Sequence, residues 1–237
     1  MSKFQGKTAL VIGGSRGIGA AIVTRLAKEG AAVRFTYAGS RDAADTLAGA
    51  TGATAIRSDA SKRDELVSMV AAQGAIDILV VSAGVFNGGH VLEIEPDAVD
   101  HGIDVNVRAP WHAAATAAKT MPDGGRIIVI GSVNGDRMPF PGGAAYAMTK
   151  SAVQGMVRGL ARDLGDRGIT VNAVQPGPVD TDMNPADGPM KDVMHGFMAI
   201  KRHIRPDEIA GLVSYLASEE AAMVTGAMHT IDGGFGA

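Results

Sequence analysis

The chain has 237 residues, of which 46% are hydrophobic and 20% charged, and this length suits one large α/β domain with a substantial core. A net charge of −3, from 22 basic and 25 acidic residues, argues against disorder and against a broad basic surface for nucleic-acid polymers or membranes. The chain has no cysteine, which excludes disulfides and thiolate chemistry and fits a reducing, cytoplasmic compartment. The first seven residues contain no signal-peptide core, and no apolar run approaches the roughly 20 residues that cross a bilayer.

Short apolar strands alternate with helical stretches along the whole chain. The pattern predicts strands at residues 7–12, 33–37, 54–57, 76–81, 126–130, 170–174 and 227–231. It predicts helices at residues 17–29, 42–50, 62–73, 96–120, 146–164 and 207–216, with Gly30 ending the first of them. Because parallel strands need helical crossovers, we expect an α/β, single-domain Rossmann fold with a doubly wound parallel sheet and helices on both faces.

The proline-rich segment from residue 176 to residue 206 interrupts this alternation. Within it, Met190, Met194 and Met198 recur at helical spacing beside Phe197. A long irregular insert in a compact domain is often a lid over a binding site. Two interpretations stay open, a substrate lid at about 182–205 and a satellite helix packed on the core.

A glycine-rich turn, GGSRGIG, lies between the first strand and the first helix. Glycines allow a tight turn and let the backbone approach a pyrophosphate, and the N-terminus of the following helix offers free N–H groups and a positive dipole. A glycine cluster in this position is a stronger signal than an isolated one. The turn therefore predicts a dinucleotide site that includes Gly13, Ser15, Arg16, Gly17, Ile18 and Gly19.

The end of the second strand bears on the choice of coenzyme. Sites that prefer NAD place an acidic residue there for the ribose 2′-hydroxyl, but no acid occurs here before Asp42. Arg16, together with Ser40 and Arg41, can instead hold a 2′-phosphate. We therefore expect NADP(H), and the alternative is that both arginines are ordinary solvated side chains.

Four polar residues point to acid–base chemistry. Tyr146 and Lys150 lie four residues apart at the start of a helix, so they share a face, and an ammonium beside a phenol is expected to lower the phenol's pKa. Ser132 follows a strand at the carboxyl edge of the sheet, where ligands bind in α/β folds. Asn106, on the long helix 96–120, can donate and accept hydrogen bonds.

These motifs resemble those of the short-chain dehydrogenase/reductase family, and the resemblance runs from about residue 7 to the C-terminus. The matching segments are 13–19, Asn106, Ser132, YAMTK at 146–150, Pro176-Gly177 through Thr181, VTG at 224–226 and DGG at 232–234. The family implies a seven-stranded Rossmann sheet and a homo-oligomer, with a tetramer favoured over a dimer. It also implies an oxidoreductase that reduces a ketone or aldehyde to an alcohol without a metal, for which the residues above predict NADP(H) as coenzyme.

The resemblance also assigns roles to individual residues. Tyr146 would donate the proton to the carbonyl, and Ser132 would hydrogen-bond the reacting oxygen. Lys150 would hold the nicotinamide ribose, and Asn106 would keep a water in the proton relay. Asp59 would contact the adenine, and the carboxamide would be held by Thr181 and the backbone near Val179. The expected coenzyme contacts also include Tyr37, Ala38, Gly39, Ser40, Arg41, Ala60, Ser82, Ala83, Gly84, Tyr146, Lys150, Pro176 and Gly177.

Two positions depart from the family pattern. Ile12 stands where the glycine loop usually opens with threonine, and Val81 replaces the first asparagine on the fourth strand. Exchanging both polar partners for apolar ones can be nearly neutral, whereas losing one would leave a buried group unpaired. We therefore expect the coenzyme site to be retained.

The substrate itself is not selected by the sequence. Methionines and phenylalanines of the proposed lid and of the loop after Ser132 suggest an adaptable apolar pocket, formed by Met138, Phe140, Met183, Met190, Met194, Phe197 and Met198. The six histidines have no metal-binding spacing, and His195 is expected to be exposed to solvent.

Some stretches resemble more closely a bacterial member of the family that binds cyclic-di-GMP and mediates biofilm dispersal. They are 33–40, 131–139, 174–178, 197–203 and 225–233. This implies an alternative function, binding of a cyclic dinucleotide with little or no turnover. Such a ligand needs convergent arginines, for which Arg137, Arg202 and Arg205 are candidates. The enzyme interpretation is preferred, because simple binding does not require the tyrosine, lysine and serine at these positions.

Overall fold

The computed structural model describes residues 2–237. Its strands are β1 (Thr8–Ile12), β2 (Ala32–Tyr37), β3 (Thr54–Arg57), β4 (Ile78–Val81), β5 (Arg126–Ile130), β6 (Thr170–Pro176) and β7 (Met228–Ile231). They form one parallel sheet in the order β3-β2-β1-β4-β5-β6-β7, which confirms the predicted Rossmann architecture. The predicted strand bounds differ from these by two residues or fewer.

The helices are α1 (Gly17–Lys28), α2 (Arg41–Thr51), α3 (Arg63–Ala71), α4 (Pro96–Ile103), α5 (Ala109–Ala117), α6 (Ala144–Leu164), α7 (Lys191–Phe197) and α8 (Pro206–Leu216). In the described residues, 2–237, no helix combines the length and apolarity needed to cross a membrane.

The single helix predicted at 96–120 is wrong in detail. A π-helical turn, Asp104–Arg108, separates α4 from α5, and the helix ends at Ala117. Hydrophobic periodicity cannot reveal such a turn, because one wider turn leaves the apolar face almost unchanged. The turn contains Asn106, so the irregularity lies at a residue already implicated in the chemistry.

The sheet separates two apolar layers. Alternate residues of β1 enter opposite layers, with Val11 among α1 and α8 and Leu10 among α3, α5 and α6. Burying each large apolar side chain contributes about 2 kcal/mol. The chain order reverses between β1 and β4, which are neighbours in the sheet with Ile12 opposite Val81. The crevice beyond these two strand ends is the place where an α/β fold binds ligands.

The segment 182–205 has two parts. Helix α7 buries none of its residues. Met198, His203 and Ile204 are buried, and Ile204 pairs with Val179 outside the main sheet. The part that includes α7 is therefore more exposed, and its last residue, Phe197, packs against the core.

Candidate active site

The glycine turn after β1 is shaped by close backbone packing. Gly13 has φ +78°, and a Cβ there would lie 2.6 Å from the Ala83 backbone nitrogen. A Cβ at Gly19 would overlap the Gly13 carbonyl oxygen, and one at Gly14 would lie 2.5 Å from Cβ of Phe35. These three positions accept only glycine without a shift of the surrounding backbone or packing.

Helix α1 presents an uncapped N-terminus at this turn. Arg16 precedes it in an extended conformation, no side chain caps the helix, and its first turn has no acidic residue. Its first N–H groups therefore lack helical partners, and its dipole favours an anion. The residues of this turn thus fit the pyrophosphate of a dinucleotide.

Thr36 of β2 supplies the polar tie that Ile12 cannot. The Gly13 N–H donates to Thr36 Oγ1 at 2.9 Å, and the Gly14 N–H donates to the Thr36 carbonyl at 2.9 Å. The Ile12 carbonyl accepts from the N–H groups of Ser82 and Ala83, each at 2.9 Å. The loop is therefore held from both neighbouring strands, through a contact with Thr36 that the sequence analysis did not predict.

Both arginines expected at the 2′-phosphate already have carboxylate partners. Arg16 lies 3.0 Å from Asp182 at the start of the 182–205 segment, and Arg41 lies 3.5 Å from Asp45 on α2. Both pairs are exposed, so each contributes little and a phosphate can compete for the guanidinium.

The position expected for the adenine lies beyond β3. The Ser58 N–H donates to the Tyr37 carbonyl at 2.9 Å, which joins this turn to the end of β2. The Asp59 Oδ1 accepts from the backbone and the hydroxyl of Ser61. Burial raises the pKa of Asp59, but these hydrogen bonds outweigh it, and the net pKa lies below the usual value. The carboxylate is thus ionised and fixed in orientation.

Lys150 is a buried ammonium at the carboxyl edge of the sheet. It is 5% exposed, and its Nζ donates to the Ile130 carbonyl at 3.1 Å. Burial lowers its pKa to about 8. An ammonium has three N–H donors, so a polar ligand can be held by those not used on Ile130. A Cβ at Gly84 would lie 3.4 Å from this Nζ, so the glycine keeps the space beside the ammonium open.

The expected effect of Lys150 on Tyr146 is wrong for this structure. Burial raises the pKa of the Tyr146 phenol, and hydrogen bonding with Ser132 opposes that effect only in part. The Lys150 Nζ lies 5.6 Å from the centre of the Tyr146 ring and donates to a backbone carbonyl. The phenol is therefore protonated at neutral pH, which is the state that a proton donor needs.

Ser132 lies directly after β5, as expected. Its Oγ accepts from the Asn134 N–H at 3.1 Å and donates to Asn134 Oδ1 at 3.2 Å. The hydroxyl also interacts with the Tyr146 phenol. It is buried, and its own donor can rotate toward a substrate oxygen.

Asn106 braces the loop after β4 from the π-helical turn. Its Oδ1 accepts from the Val85 N–H, and its Nδ2 donates to the Val85 carbonyl, both at 2.9 Å. The Nδ2 also donates to Thr149 Oγ1 on α6 at 3.1 Å. The side chain thus joins the turn, the β4 loop and the helix that carries Tyr146 and Lys150.

The segment expected at the carboxamide lies against the glycine turn. A Cβ at Gly17 would lie 3.1 Å from Thr181 Cγ2. A Cβ at Gly177 would lie 2.8 Å from Asp232 Cα, so this chain crossing also depends on glycine. The structure therefore brings the residues after β6 next to the N-terminus of α1.

Three expectations about the 182–205 segment need correction. Met198 is buried in the core, and Phe197 packs edge-to-face on Phe235 with ring centres 5.6 Å apart, so both support the core. His195 is only partly exposed, and its Nε2 lies 2.8 Å from Nδ1 of buried His203. In the described residues 2–237, no group of three metal-ligating side chains occurs.

The arginines suggested for a cyclic dinucleotide have other partners. Arg137 donates to the carbonyls of Phe235 and Ala237, Arg202 forms a bidentate pair with Glu208, and Arg205 pairs with Asp207.

Sequence reasoning missed three residues near the site, Thr36, Phe86 and Gln175. The Phe86 ring packs edge-to-face on Tyr146 with centres 5.0 Å apart. Gln175 donates to the Ser132 carbonyl at 3.1 Å. Because Ile12 lacks the usual threonine hydroxyl, a search for another polar residue beside the glycine loop could have found Thr36. No local pattern in the sequence identifies Phe86 or Gln175.

A parallel sheet with a glycine turn after β1 and a Ser–Tyr–Lys set at its carboxyl edge defines a dinucleotide-dependent oxidoreductase fold. A family model described as Enoyl-(Acyl carrier protein) reductase matches residues 12–236. The chain belongs to the short-chain dehydrogenase/reductase family, a family of oxidoreductases.

Individual relatives resemble the chain over nearly its whole length. It is 62% identical to the cyclic-di-GMP-binding biofilm dispersal mediator protein of Escherichia coli (strain K12), over 100% of both chains. It is 35% identical to elsinochrome reductase 1 of Elsinoe fawcettii, over 98% of this chain and 95% of the relative. The crystal structure of BdcA in complex with NADPH is 62% identical and superposes with a TM-score of 0.98, over 99% of this chain and 96% of that one.

Proposed function

We propose that the protein is an NADP(H)-dependent reductase that converts a ketone or aldehyde into an alcohol. The observation that carries the proposal is the convergence of Ser132, Tyr146 and Lys150 at the sheet edge, beside a glycine turn fitted to a dinucleotide. The BdcA structure was determined with NADPH, which supports the choice of coenzyme. When bound, the reduced nicotinamide supplies the hydride.

The chain's own residues would position the substrate and supply the proton. The protonated Tyr146 phenol donates to the carbonyl oxygen as negative charge develops on it, and the Ser132 hydroxyl hydrogen-bonds the same oxygen. Lys150 holds the nicotinamide ribose through its free N–H donors. Asn106 keeps these groups in place by bracing α6 and the β4 loop.

The proposed coenzyme preference depends on Arg16, Ser40 and Arg41. A 2′-phosphate carries more charge than the Asp182 carboxylate that now pairs with Arg16, so it would displace this exposed partner. Titration with NADPH and NADH should show tighter binding of NADPH, with the difference reduced in Arg16→Ala. A clear preference for NADH would contradict the proposal.

The substrate would enter between the Phe86 ring and the part of the 182–205 segment that includes α7. Phe86, Met183 and Met190 are large apolar side chains that remain substantially exposed, and Phe86 packs on Tyr146. Exposed apolar groups around a polar centre favour an apolar carbonyl compound. We propose the part of the segment that includes α7 as a lid over such a substrate.

The direct test is oxidation of NADPH with a panel of aldehydes, ketones, diketones and 3-oxoacyl thioesters. We expect turnover with at least one apolar carbonyl substrate and a loss of about 1,000-fold or more in Tyr146→Phe, because a phenylalanine has no proton to donate. Retained binding of NADPH by this variant, even if weaker because Tyr146 is an expected coenzyme contact, is the control for folding. No turnover by the wild-type protein across the panel would contradict the proposal.

A second candidate function is the binding of cyclic-di-GMP with little or no turnover. The identity of 62% with a protein named for that ligand favours it. Its candidate arginines would first have to leave their present partners, including the bidentate contact with Glu208. Calorimetry with cyclic-di-GMP tests it, and binding in the micromolar range without turnover would favour it over the reductase.

We also propose a homo-oligomer, with a tetramer ahead of a dimer, in a reducing, cytoplasmic compartment. Gly155 and Gly159 lie on an exposed face of α6, where an added Cβ would meet no atom within 4 Å, and Met148 is half exposed nearby. Small residues allow helices of two subunits to approach closely. Sedimentation should show an oligomer that Gly155→Arg dissociates, and a monomeric wild-type protein would contradict the proposal.

A further inference from the structure

Two stretches of the chain meet beneath Ser132, and each contains residues that have no role in the proposed chemistry. They are residues 131–139 after β5 and residues 174–178 at the end of β6. The Gly131 N–H donates to the Val174 carbonyl at 2.7 Å, and a Cβ at Gly131 would lie 3.3 Å from Gln175 Cγ. Glycine at 131 therefore leaves room for the Gln175 side chain under the backbone that carries Ser132.

The amide of Gln175 is buried and has a defined orientation. The residue is 1% exposed, and its Nε2 donates to the Ser132 carbonyl at 3.1 Å and to Asp136 Oδ2 at 2.9 Å. Turning the amide over would place Oε1 against two acceptor oxygens, so the orientation follows from the chemistry of the partners. Within residues 2–237, Oε1 has no hydrogen-bond partner, so the NH₂ side alone holds the amide.

The contact continues to the helix that carries Tyr146 and Lys150. Asp136 Oδ1 accepts from Gln154 Nε2 on α6 at 2.6 Å, one turn beyond Lys150. The Ser151 hydroxyl donates to the Gly135 carbonyl at 2.6 Å. Residues Gln175, Asp136 and Gln154 thus form a clamp between β6, the loop after β5 and α6.

We propose that Gln175 is a positioning residue, whose amide holds the Ser132 carbonyl and the Asp136 carboxylate so that the Ser132 hydroxyl stays aimed at the Tyr146 hydroxyl. The role in turnover rests on the proposed function, but the contacts of Gln175 with the Ser132 carbonyl and the Asp136 carboxylate exist without coenzyme or substrate. Gln175 touches no reacting atom and acts through Ser132, whose loop it holds both directly and through Asp136. A shift of a catalytic group by about 1 Å can lower a rate by about 100-fold.

The test follows the Tyr146 phenol directly. The chain has three tyrosines, so protein labelled with 3-fluorotyrosine gives three ¹⁹F resonances that Tyr37→Phe and Tyr215→Phe assign by elimination. Fluorination makes the phenol more acidic, which brings the titration into a pH range where the protein stays folded. In Gln175→Met we expect the Tyr146 resonance to titrate at least about 0.5 pH units higher, because a displaced Ser132 stabilises the phenolate less.

A double-mutant cycle separates positioning from simple packing. Ser132→Ala should raise the Tyr146 titration in the same direction, and adding Gln175→Met should change it no further, because Gln175 acts through that hydroxyl. With a substrate in hand, Gln175→Met should lower kcat about tenfold and leave the affinity for NADPH unchanged. Additive shifts in the double variant, or no shift in Gln175→Met, would overturn the proposal.

Asn172→Ala is the matched control, because it removes another buried amide from the same strand. Asn172 is 0% exposed, donates to the Val224 carbonyl at 2.7 Å and accepts from the Ala227 N–H at 3.3 Å. It should lower stability without moving the Tyr146 titration. An equal shift in this control would show that general loosening is sufficient, which contradicts a specific role for Gln175.

Asp136→Asn keeps the inference testable if Gln175→Met does not fold. An Asn side chain keeps one acceptor oxygen but offers an NH₂ group to Gln175 or Gln154, both of which are donors here. We expect a smaller rise in the Tyr146 titration. An unchanged titration in a folded Asp136→Asn would overturn the clamp, whatever the enzyme assays show. If the wild-type protein reduces no carbonyl compound, only the proposed function fails.

Discussion

The glycine turn and the sheet edge that carries Ser132, Tyr146 and Lys150 lie at the same end of the sheet but are built in different ways. The turn depends on backbone atoms, since a Cβ at Gly13, Gly14 or Gly19 would overlap neighbouring atoms. The edge depends on side-chain hydrogen bonds, such as those that Asn106 and Lys150 make to backbone groups. A substitution in the turn therefore causes a steric overlap, whereas a substitution at the edge removes individual polar contacts.

The largest expected effect is the loss of NADPH affinity when a methyl group is added in the glycine turn. Gly19→Ala places a Cβ on the Gly13 carbonyl, and the backbone must move where the pyrophosphate is held. We expect affinity for NADPH to fall by about 100-fold, which corresponds to about 3 kcal/mol. Titration followed by coenzyme fluorescence measures it. The control Gly49→Ala, with no atom within 4 Å of the added Cβ, should raise stability by about 0.5–1 kcal/mol.

The buried ammonium at the edge should make stability depend on pH. The pKa of Lys150 falls to about 8 in the folded protein from the ordinary 10.5, so the unfolded chain binds the proton more tightly. The destabilisation caused by burying the charged ammonium is complete below pH 8 and disappears as the pH rises to 10.5. The free energy of unfolding of the wild type should rise over this window by about 3 kcal/mol relative to Lys150→Met. Urea denaturation from pH 7 to pH 10.5 measures it, with exposed Lys119→Met as the control.

Removing the hydrogen bonds of Asn106 should lower the free energy of unfolding by an intermediate amount. Asn106→Ala leaves both backbone polar groups of Val85 without their present partner, and we expect a loss of about 2 kcal/mol in the free energy of unfolding. Thr149→Val removes one acceptor from the same amide and the hydrogen bond from the Thr149 hydroxyl to the Tyr146 carbonyl, and it should lower stability by about 1 kcal/mol. Urea denaturation at pH 7 distinguishes the two. Equal losses would show that the contact with Val85 contributes nothing.

The smallest effect is expected at the distal end of the 182–205 segment. Glu208 caps α8 and binds Arg202, and its pKa is lowered to about 2, chiefly by the hydrogen bond from Arg202. This stabilisation is present above the ordinary pKa of 4.5 and is lost as pH falls through 2. Glu208→Gln should lower stability by about 1 kcal/mol at pH 7, and less at high salt. Thermal unfolding of the wild type and of Glu208→Gln between pH 7 and pH 3 measures this loss. If the stability difference between the two proteins is the same at pH 3, or in high salt, as at pH 7 in low salt, an ionic contribution is contradicted.

The sequence predicted the features that depend on local spacing. The alternation of apolar strands and helices gave the sheet, and the glycine cluster between β1 and α1 gave the coenzyme turn, because both patterns are set by neighbours in the chain. The π-helical turn at Asn106 was missed, because it leaves the apolar periodicity nearly intact. The pairing of His195 with His203 was missed because spacing alone does not show how the segment between them folds back.

The residues alone determined which groups are available for the chemistry: a phenol, an ammonium and a hydroxyl placed after particular strands. Only the tertiary structure decided how readily these groups ionise and which residues hold them in place. Burial reversed the expected direction of the Tyr146 pKa, since desolvation outweighs the lowering contact with Ser132. The partners Thr36 and Gln175 lie 23 and 43 positions from the groups they hold, and such contacts form only when distant strands become neighbours in the sheet.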